Sequence, residues 1–119
     1  MASRRTNPDY LNGVPELLIL RLLSRKPMHG YELVQSIGVG SGGQLEFGEG
    51  CIYPLLHRLE SEGALTSRRQ SVGGRSRVVY RVSAAGKKRF AQAETRWRGI
   101  ANAIQLVLQG DAHGCAKMA

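Results

Sequence analysis

Apolar side chains occupy most positions of residues 14–23, where only Glu16 and Arg21 interrupt them. Pro15 stands where the first turn of a helix tolerates proline, because the N–H that proline lacks has no helical partner there. Pro27 then prevents the helix from continuing. The pattern predicts a first helix that is apolar on most sides and therefore central in the fold.

A shorter apolar stripe, formed by Leu33, Val34 and Ile37, predicts a second helix over residues 28–37. Residues 38–43 follow with four glycines, which disfavour any regular element. We therefore expect the glycines to end this helix early.

Gly38, Gly40 and Gly43 reproduce the G-x-G-x-x-G spacing of a dinucleotide-binding loop. That loop requires a strand before it and a helix after it, so that the helix N-terminus meets the pyrophosphate. Here a predicted helix precedes the glycines, and we interpret the segment as a connector. A nucleotide site is the alternative, which protection of the segment by a nucleotide would reveal.

Residues 49–62 carry the clearest helical period. Gly48 is the predicted N-cap of this helix, and Gly63 is the residue that ends it. Pro54 lies inside the helix, where its ring crowds the carbonyl of Gly50, and a glycine can adapt to that contact. The inward positions follow the i, i+3, i+4, i+7 rule: Ile52, Leu55, Leu56 and Leu59. The opposite face is unusual for a merely solvated surface: Glu49, Cys51, Tyr53, Pro54, His57 and Arg58.

Residues 64–70 and 77–82 have the composition of strands, and residues 71–76 between them have that of a turn. Alternation predicts one apolar face: Leu65, Val78, Tyr80 and Val82. The sequence predicts a hairpin with a basic tip.

Ser83 is a predicted N-cap for a helix that reaches about Gln109 and is about 40 Å long. Its apolar seam repeats at spacings of three and four: Phe90, Ala93, Trp97, Ile100, Ile104 and Val107. We expect a second copy of the chain to cover this seam, with Phe90, Trp97, Ile100, Ile104 and Val107 as the dimerisation residues.

Charge is unevenly distributed in this chain of net charge +8. Residues 63–93 contain no Asp or Glu but eight Lys and Arg residues. A polyanion is the natural partner of such a block, and a solvated basic surface is the alternative.

The length of 119 residues predicts one domain. The apolar run of the first helix is too short to cross a bilayer, so no membrane partner is expected. Two cysteines, Cys51 and Cys115, are too few for a disulfide scaffold, and we expect a cytoplasmic protein.

Three helices, a hairpin and a last helix follow the order of a winged helix-turn-helix, in a mainly α (α+β) fold. In that fold the third helix enters the major groove of DNA, and the tip of the hairpin, or wing, reaches the adjacent backbone or minor groove. We assign residues 11–82 to the DNA-binding domain and 83–109 to the dimerisation helix. Residues 1–10 and 110–119 are expected to be flexible termini.

Four short motifs carry a resemblance to a known family. They are PMHGYEL at 27–33, EGCIYPLLHRLE at 49–60, GGR at 73–75 and YRV at 80–82. Spaced in this order, they resemble the PadR family of bacterial transcriptional regulators over residues 11–108. The single C-terminal helix is similar to the shorter PadR subgroup, which implies a homodimeric repressor that responds to small aromatic or drug-like molecules.

The fold and the resemblance together predict a site for double-stranded operator DNA. Tyr31 and Tyr53 would contact phosphates, while Arg75 and Arg77 follow glycines that allow close approach to a groove. Cys51 stands where the family has Ser or Thr, which leaves the family contact there in doubt. The predicted residues are Tyr31, Glu49, Gly50, Cys51, Tyr53, Pro54, His57, Arg58, Gly73, Gly74, Arg75 and Arg77.

The resemblance also implies an aromatic effector beside Trp97, between the subunits. Ala93, Ile100 and Ala101 share the face of Trp97 and complete the predicted effector site, where the small Ala93 and Ala101 leave room beside a large ring. Tight packing of Trp97 in the dimer is the alternative.

No other chemistry is predicted. His29, His57, His113, Cys51 and Cys115 lack metal-ligand spacing, so we expect no metal, and no cofactor or enzymatic activity. A winged-helix dimer that binds another protein rather than a specific DNA sequence is the alternative function.

Overall fold

The computed structural model describes residues 13–110, and these form a four-helix, three-strand α+β fold. The predicted flexible termini lie outside the described residues, apart from Gly110, which is the C-cap of the last helix. The elements in chain order are α1 Val14–Arg25, β1 Met28–His29, α2 Gly30–Gly40, α3 Glu49–Ser61, β2 Leu65–Val72, β3 Arg75–Val82 and α4 Ala84–Gln109.

The first helix is central, as the apolar pattern predicts. Pro15 lies in its first turn, and Ile19 and Leu20 are completely buried. α1 packs against α2, β3 and α4, so three elements cover its apolar surface. The hydrophobic effect makes such burial the main source of stability in a domain this small.

The prediction for the second helix is wrong at both ends. Its first two residues form a short strand, β1, and the helix continues three residues past Ile37 to Gly40. His29 is the N-cap, since its Nδ1 accepts a hydrogen bond of 3.2 Å from the Glu32 N–H. The helical cost of a glycine, about 1 kcal/mol, was too small to stop a helix whose last turn is closed by backbone hydrogen bonds. The Gly43 N–H closes that end by donating to the Gly38 carbonyl at 2.8 Å.

The three strands form an antiparallel sheet in the order β1-β3-β2. The predicted turn at 71–76 is too long, because both strands continue to a two-residue connection. Gly73 and Gly74 both have positive φ, 57° and 80°. Glycine adopts such angles without strain, and two of them in succession match the right-handed twist of a hairpin.

The start of α4 is fixed to the start of the hairpin. The Ser83 side chain caps the helix by accepting from the Gly86 N–H at 3.0 Å, as predicted, and donates to the Gly63 carbonyl at 2.6 Å. Gly86 is buried against Ala64, whose carbonyl oxygen would collide with a Cβ at this position. α4 therefore leaves the body in a direction set by these close contacts.

The core contains most of the residues that the periodicities predicted on α1, α2, α3 and the hairpin, while Val34, Leu55, Val78 and Val82 are partly buried and pack against it. Its largest fully buried side chains are Ile19, Leu20, Leu33, Ile52, Leu56, Leu59 and Leu65. Beyond its first turns, α4 extends from this core, and its distal apolar residues are exposed: Ile100, Ile104, Leu106, Val107 and Leu108.

Candidate nucleic-acid interface

One face of α3 is buried and the other is open. Ile52, Leu56 and Leu59 have no exposed surface, whereas Glu49, Gly50, Pro54 and His57 are exposed. Nothing lies within 4 Å of a Cβ built on Gly50. Packing within the chain therefore does not require glycine there, and the open face is accessible to another molecule.

The Tyr53 ring joins α3 to the beginning of α2. A Cβ on Gly30 would lie 2.5 Å from Tyr53 Cε1, so only glycine allows the ring to lie this close to the α2 backbone. Tyr31, the next residue of α2, is half-exposed at 50%. The contact fixes the two helices of the helix-turn-helix and leaves the ring of Tyr31 at the surface.

Tyr80, from the central strand, lies beneath this contact. Burial raises the pKa of its phenol, and the nearby Glu60 carboxylate and Tyr53 raise it further. Glu60 also accepts a hydrogen bond of 2.6 Å from Ser67 on β2. α3 is thereby fixed to the hairpin as well as to α2.

The hairpin presents a cationic face. Its register places Arg81 opposite Thr66, Val79 opposite Arg68, and Arg77 opposite Gln70. Because alternate residues share a face, four exposed arginines lie on the side opposite Tyr80: Arg75 at the tip, and three along the strands. We call these three the wing-face arginines: Arg68, Arg77 and Arg81. Arg75 follows the glycine turn and is exposed at the tip.

The wing also touches the beginning of α2. Arg77 Nη1 lies 3.1 Å from His29 Nε2, across the β1–β3 edge of the sheet. A chain of contacts therefore runs from Tyr53 through the buried Gly30 and its neighbour His29 to Arg77. It connects α3 to the wing through the beginning of α2.

Arg58 has a different environment from the other predicted DNA-binding residues. Its guanidinium donates to Glu16 at 3.1 Å and lies 3.8 Å from Glu62. Arg89 of α4 contacts the same two carboxylates, at 2.7 Å and 2.8 Å. These four residues form an ion network that links α1, α3 and α4. A DNA phosphate would have to compete with Glu16 and Glu62 for the Arg58 guanidinium.

Comparison with known proteins agrees with this architecture. The sequence model of the Transcriptional regulator PadR-like family matches residues 19–92, more than half of the chain. The chain is 35% identical over 105 residues to Transcriptional regulator Rv3488 of Mycobacterium tuberculosis (strain ATCC 25618 / H37Rv), covering 88% of this chain and 92% of that protein. The chain belongs to the PadR-like family of transcriptional regulators.

Solved structures of PadR-like proteins share the fold. A PadR-like regulator from Bacillus cereus strain ATCC 14579 superposes with a TM-score of 0.75 at 27% identity, covering 87% of this chain and all of that one. A PadR family regulator from Eggerthella lenta DSM 2243 gives 0.73 at 28% identity, covering 87% and 88%. The winged-helix fold and the function of a DNA-binding transcriptional regulator, both predicted from the sequence, are confirmed.

In this PadR-like chain, a groove of about 470 Å³ lies between α1 and α4 beside Trp97. Trp97 and Ala101, both predicted effector residues, line it, while Ala93 and Ile100 are not among its lining residues. The full lining is Leu17, Leu18, Arg21, Phe90, Glu94, Trp97, Arg98 and Ala101.

Sequence reasoning missed two features of the PadR-like site. It assigned no role to His29 as a cap or as the neighbour of Arg77, and none to the carboxylates that pair with Arg58 and Arg89. The partners lie 42 to 73 residues apart along the chain, and no local pattern reports such distances.

Among residues 13–110, no helix is long and apolar enough to cross a membrane.

Proposed function

We propose that this PadR-like regulator is a homodimeric repressor that binds double-stranded operator DNA and is released by an aromatic small molecule. Residues 11–82 form its DNA-binding domain and residues 83–109 its dimerisation helix. Since its ligand is chromosomal DNA, it acts in the cytoplasm.

The exposed face of α3 and the exposed arginines of the wing carry the proposal. A recognition helix reads base edges in the major groove, while arginines on the wing neutralise phosphates. His57 and Pro54 lie on the open face of α3, and Arg75 and Arg77 lie on the wing. The hairpin residues 65–82 contain no acid that would repel DNA.

The exposed seam of α4 supports the dimer. Ile104 is 52% exposed and Val107 71% exposed, which is costly for large apolar side chains in water. A second α4 that packs against this seam removes both from water. A two-fold dimer also presents two α3 helices to two half-sites of DNA, so that binding at one site favours binding at the other.

The groove beside Trp97 supports the effector. Its walls combine an indole with the aliphatic Leu17 and Leu18, an environment for a flat apolar molecule. In a dimer formed through α4, this groove lies beside the interface. A ligand there would change the angle between the two DNA-binding domains, and thus their fit to the operator.

The decisive test is a gel shift with DNA from the regulator's own promoter, in the presence of excess unrelated duplex. We expect a complex that survives the competitor and weakens steeply with salt, since phosphate contacts release counterions. Transcription from that promoter in vitro should fall when the protein is added. Loss of all sequence preference under competition would favour the protein-binding alternative.

A further inference from the structure

The ring of His29 has one nitrogen already committed. Its Nδ1 accepts the hydrogen bond from the Glu32 N–H that caps α2. A neutral imidazole carries one proton, so the capping tautomer has that proton on Nε2. His29 therefore offers an N–H donor at Nε2.

Arg77 brings a second donor to the same point. Its Nη1 lies 3.1 Å from His29 Nε2, and a guanidinium has donors only. In the tautomer that caps α2, the contact therefore places two N–H groups side by side. A single oxygen atom within reach of both groups would accept a hydrogen bond from each.

The surrounding charge favours an anionic oxygen. The nearest carboxylate, Glu32 Oε1, lies 3.8 Å from His29 Nε2, and the other oxygen of that carboxylate pairs with Lys26 Nζ at 3.3 Å. Among residues 13–110 no ion pair involves Arg77, and Arg68 and Arg81 lie on the same face of the sheet. The net charge at this position is positive.

We propose that His29 Nε2 and Arg77 together bind one backbone phosphate of the DNA, at the junction of β1 and the wing. This inference rests on the proposed DNA binding and assigns His29 a contact of its own in that site. A duplex that engages α3 and the wing at the same time holds its phosphate there at high effective concentration. Free phosphate makes no contacts with α3 or the rest of the wing. His29 and Arg77 are therefore better suited to a phosphate of a DNA duplex than to the free ion.

The His29→Asn variant separates the phosphate contact from the cap. Asparagine is a good N-cap, but its shorter side chain lacks a donor at the position of Nε2. We expect an unchanged melting temperature and a DNA affinity about threefold to tenfold lower, with the same salt slope, because the lost donor is neutral. Arg77→Gln should lower the affinity about tenfold and reduce the salt slope by about one unit. The His29→Ala variant loses both the N-cap and the Nε2 donor. The decrease in its melting temperature measures the contribution of the cap to stability.

A chemical change on the DNA identifies the shared phosphate. The wild type first selects a duplex from a random pool, and each phosphate is then replaced in turn by a neutral methylphosphonate. Replacement of one particular phosphate should lower the DNA affinity of the wild type. The same replacement should lower the affinity of His29→Asn or Arg77→Gln little further, because losses that remove the same contact do not add. Nitrogen-15 NMR of His29 should show the proton on Nε2 and a shift of that resonance on addition of the duplex. Inorganic phosphate at millimolar concentration should leave the resonance in place.

Three results would overturn this site. They are wild-type affinity in His29→Asn, no methylphosphonate position that couples to both variants, or a proton on Nδ1 of the free protein. A shift with inorganic phosphate equal to that with the duplex would assign the pair to free phosphate instead. Selection of no duplex at all would overturn the proposed function and this site with it.

Discussion

Glu16 in α1 accepts two hydrogen bonds from the Arg89 guanidinium in α4, 2.7 Å from Nε and 3.2 Å from Nη2. Arg58 of α3 donates to the same carboxylate at 3.1 Å. These bonds raise the pKa of Arg89, chiefly through Glu16 and also through Glu62, so the cation persists at any physiological pH. One half-buried carboxylate thus fixes α3 relative to α4.

The first prediction concerns this carboxylate. Glu16→Gln should lower the free energy of unfolding by about 1–2 kcal/mol, because two arginines lose a charged acceptor in a partly buried setting. Urea denaturation measures the change. Glu94→Gln is the matched control, since its bond to Arg98 is exposed and within one helix, and it should cost under about 0.5 kcal/mol. Equal losses in the two variants would show that the network has no special role.

The second prediction follows from Tyr80. Because burial raises its pKa in the folded state, the protein holds this proton more tightly than the unfolded chain does. Below the ordinary tyrosine pKa of about 10, protonated Tyr80 contributes fully to the free energy of unfolding. This contribution is lost as the pH rises from there towards the pKa of Tyr80 in the folded protein. Tyr80→Phe should flatten the alkaline part of a plot of unfolding free energy against pH. A Tyr80→Phe slope equal to wild type would contradict the assignment.

The third prediction tests the wing tip. Arg75→Ala should weaken specific and nonspecific DNA binding about equally and reduce the salt slope by about one unit, as expected for one lost phosphate contact. Arg96→Ala removes an equal charge from the exposed surface of α4 and should leave the slope unchanged. A His57 substitution should instead change the sequence preference. An Arg75→Ala slope equal to wild type would exclude the tip from the interface.

The fourth prediction tests the α4 seam. Ile104→Asp places a charge among the apolar side chains between two subunits, where an unpaired charge costs several kcal/mol. Sedimentation equilibrium should show monomers, and operator affinity should fall with the dimer. Gln105→Asp adds the same charge next to the seam and should remain dimeric. Dimeric Ile104→Asp with full DNA affinity would place the interface elsewhere.

The fifth prediction concerns the effector. Flat cationic dyes should quench the fluorescence of Trp97, the single tryptophan, in a saturable manner. Ala101→Leu fills the groove between α1 and α4 and should abolish quenching while the dimer survives. Ala93→Leu lies on the seam outside the groove lining, and its effect shows whether the partner subunit closes the site. Absence of quenching by every such dye would leave Trp97 as a packing residue.

The sequence by itself determined the elements whose information is local. The 3.6-residue period specified α1, α3 and the inward face of α2, and Ser83 and Gly63 marked helix ends through capping chemistry. Alternation and paired glycines specified the hairpin. Family motifs spaced along these elements were enough to predict a DNA-binding regulator.

The tertiary structure alone decided what depends on distant partners. β1 has two residues, too few for any period, and exists because β3 pairs with it. α2 continues through Gly38 to Gly40 because its final backbone hydrogen bonds outweigh the propensity of single glycines. The contacts of Arg58 and Arg89 with Glu16, and of Arg77 with His29, join residues 42, 73 and 48 positions apart. A sequence pattern gives the face on which a side chain lies, but which distant group it meets depends on the path of the whole chain.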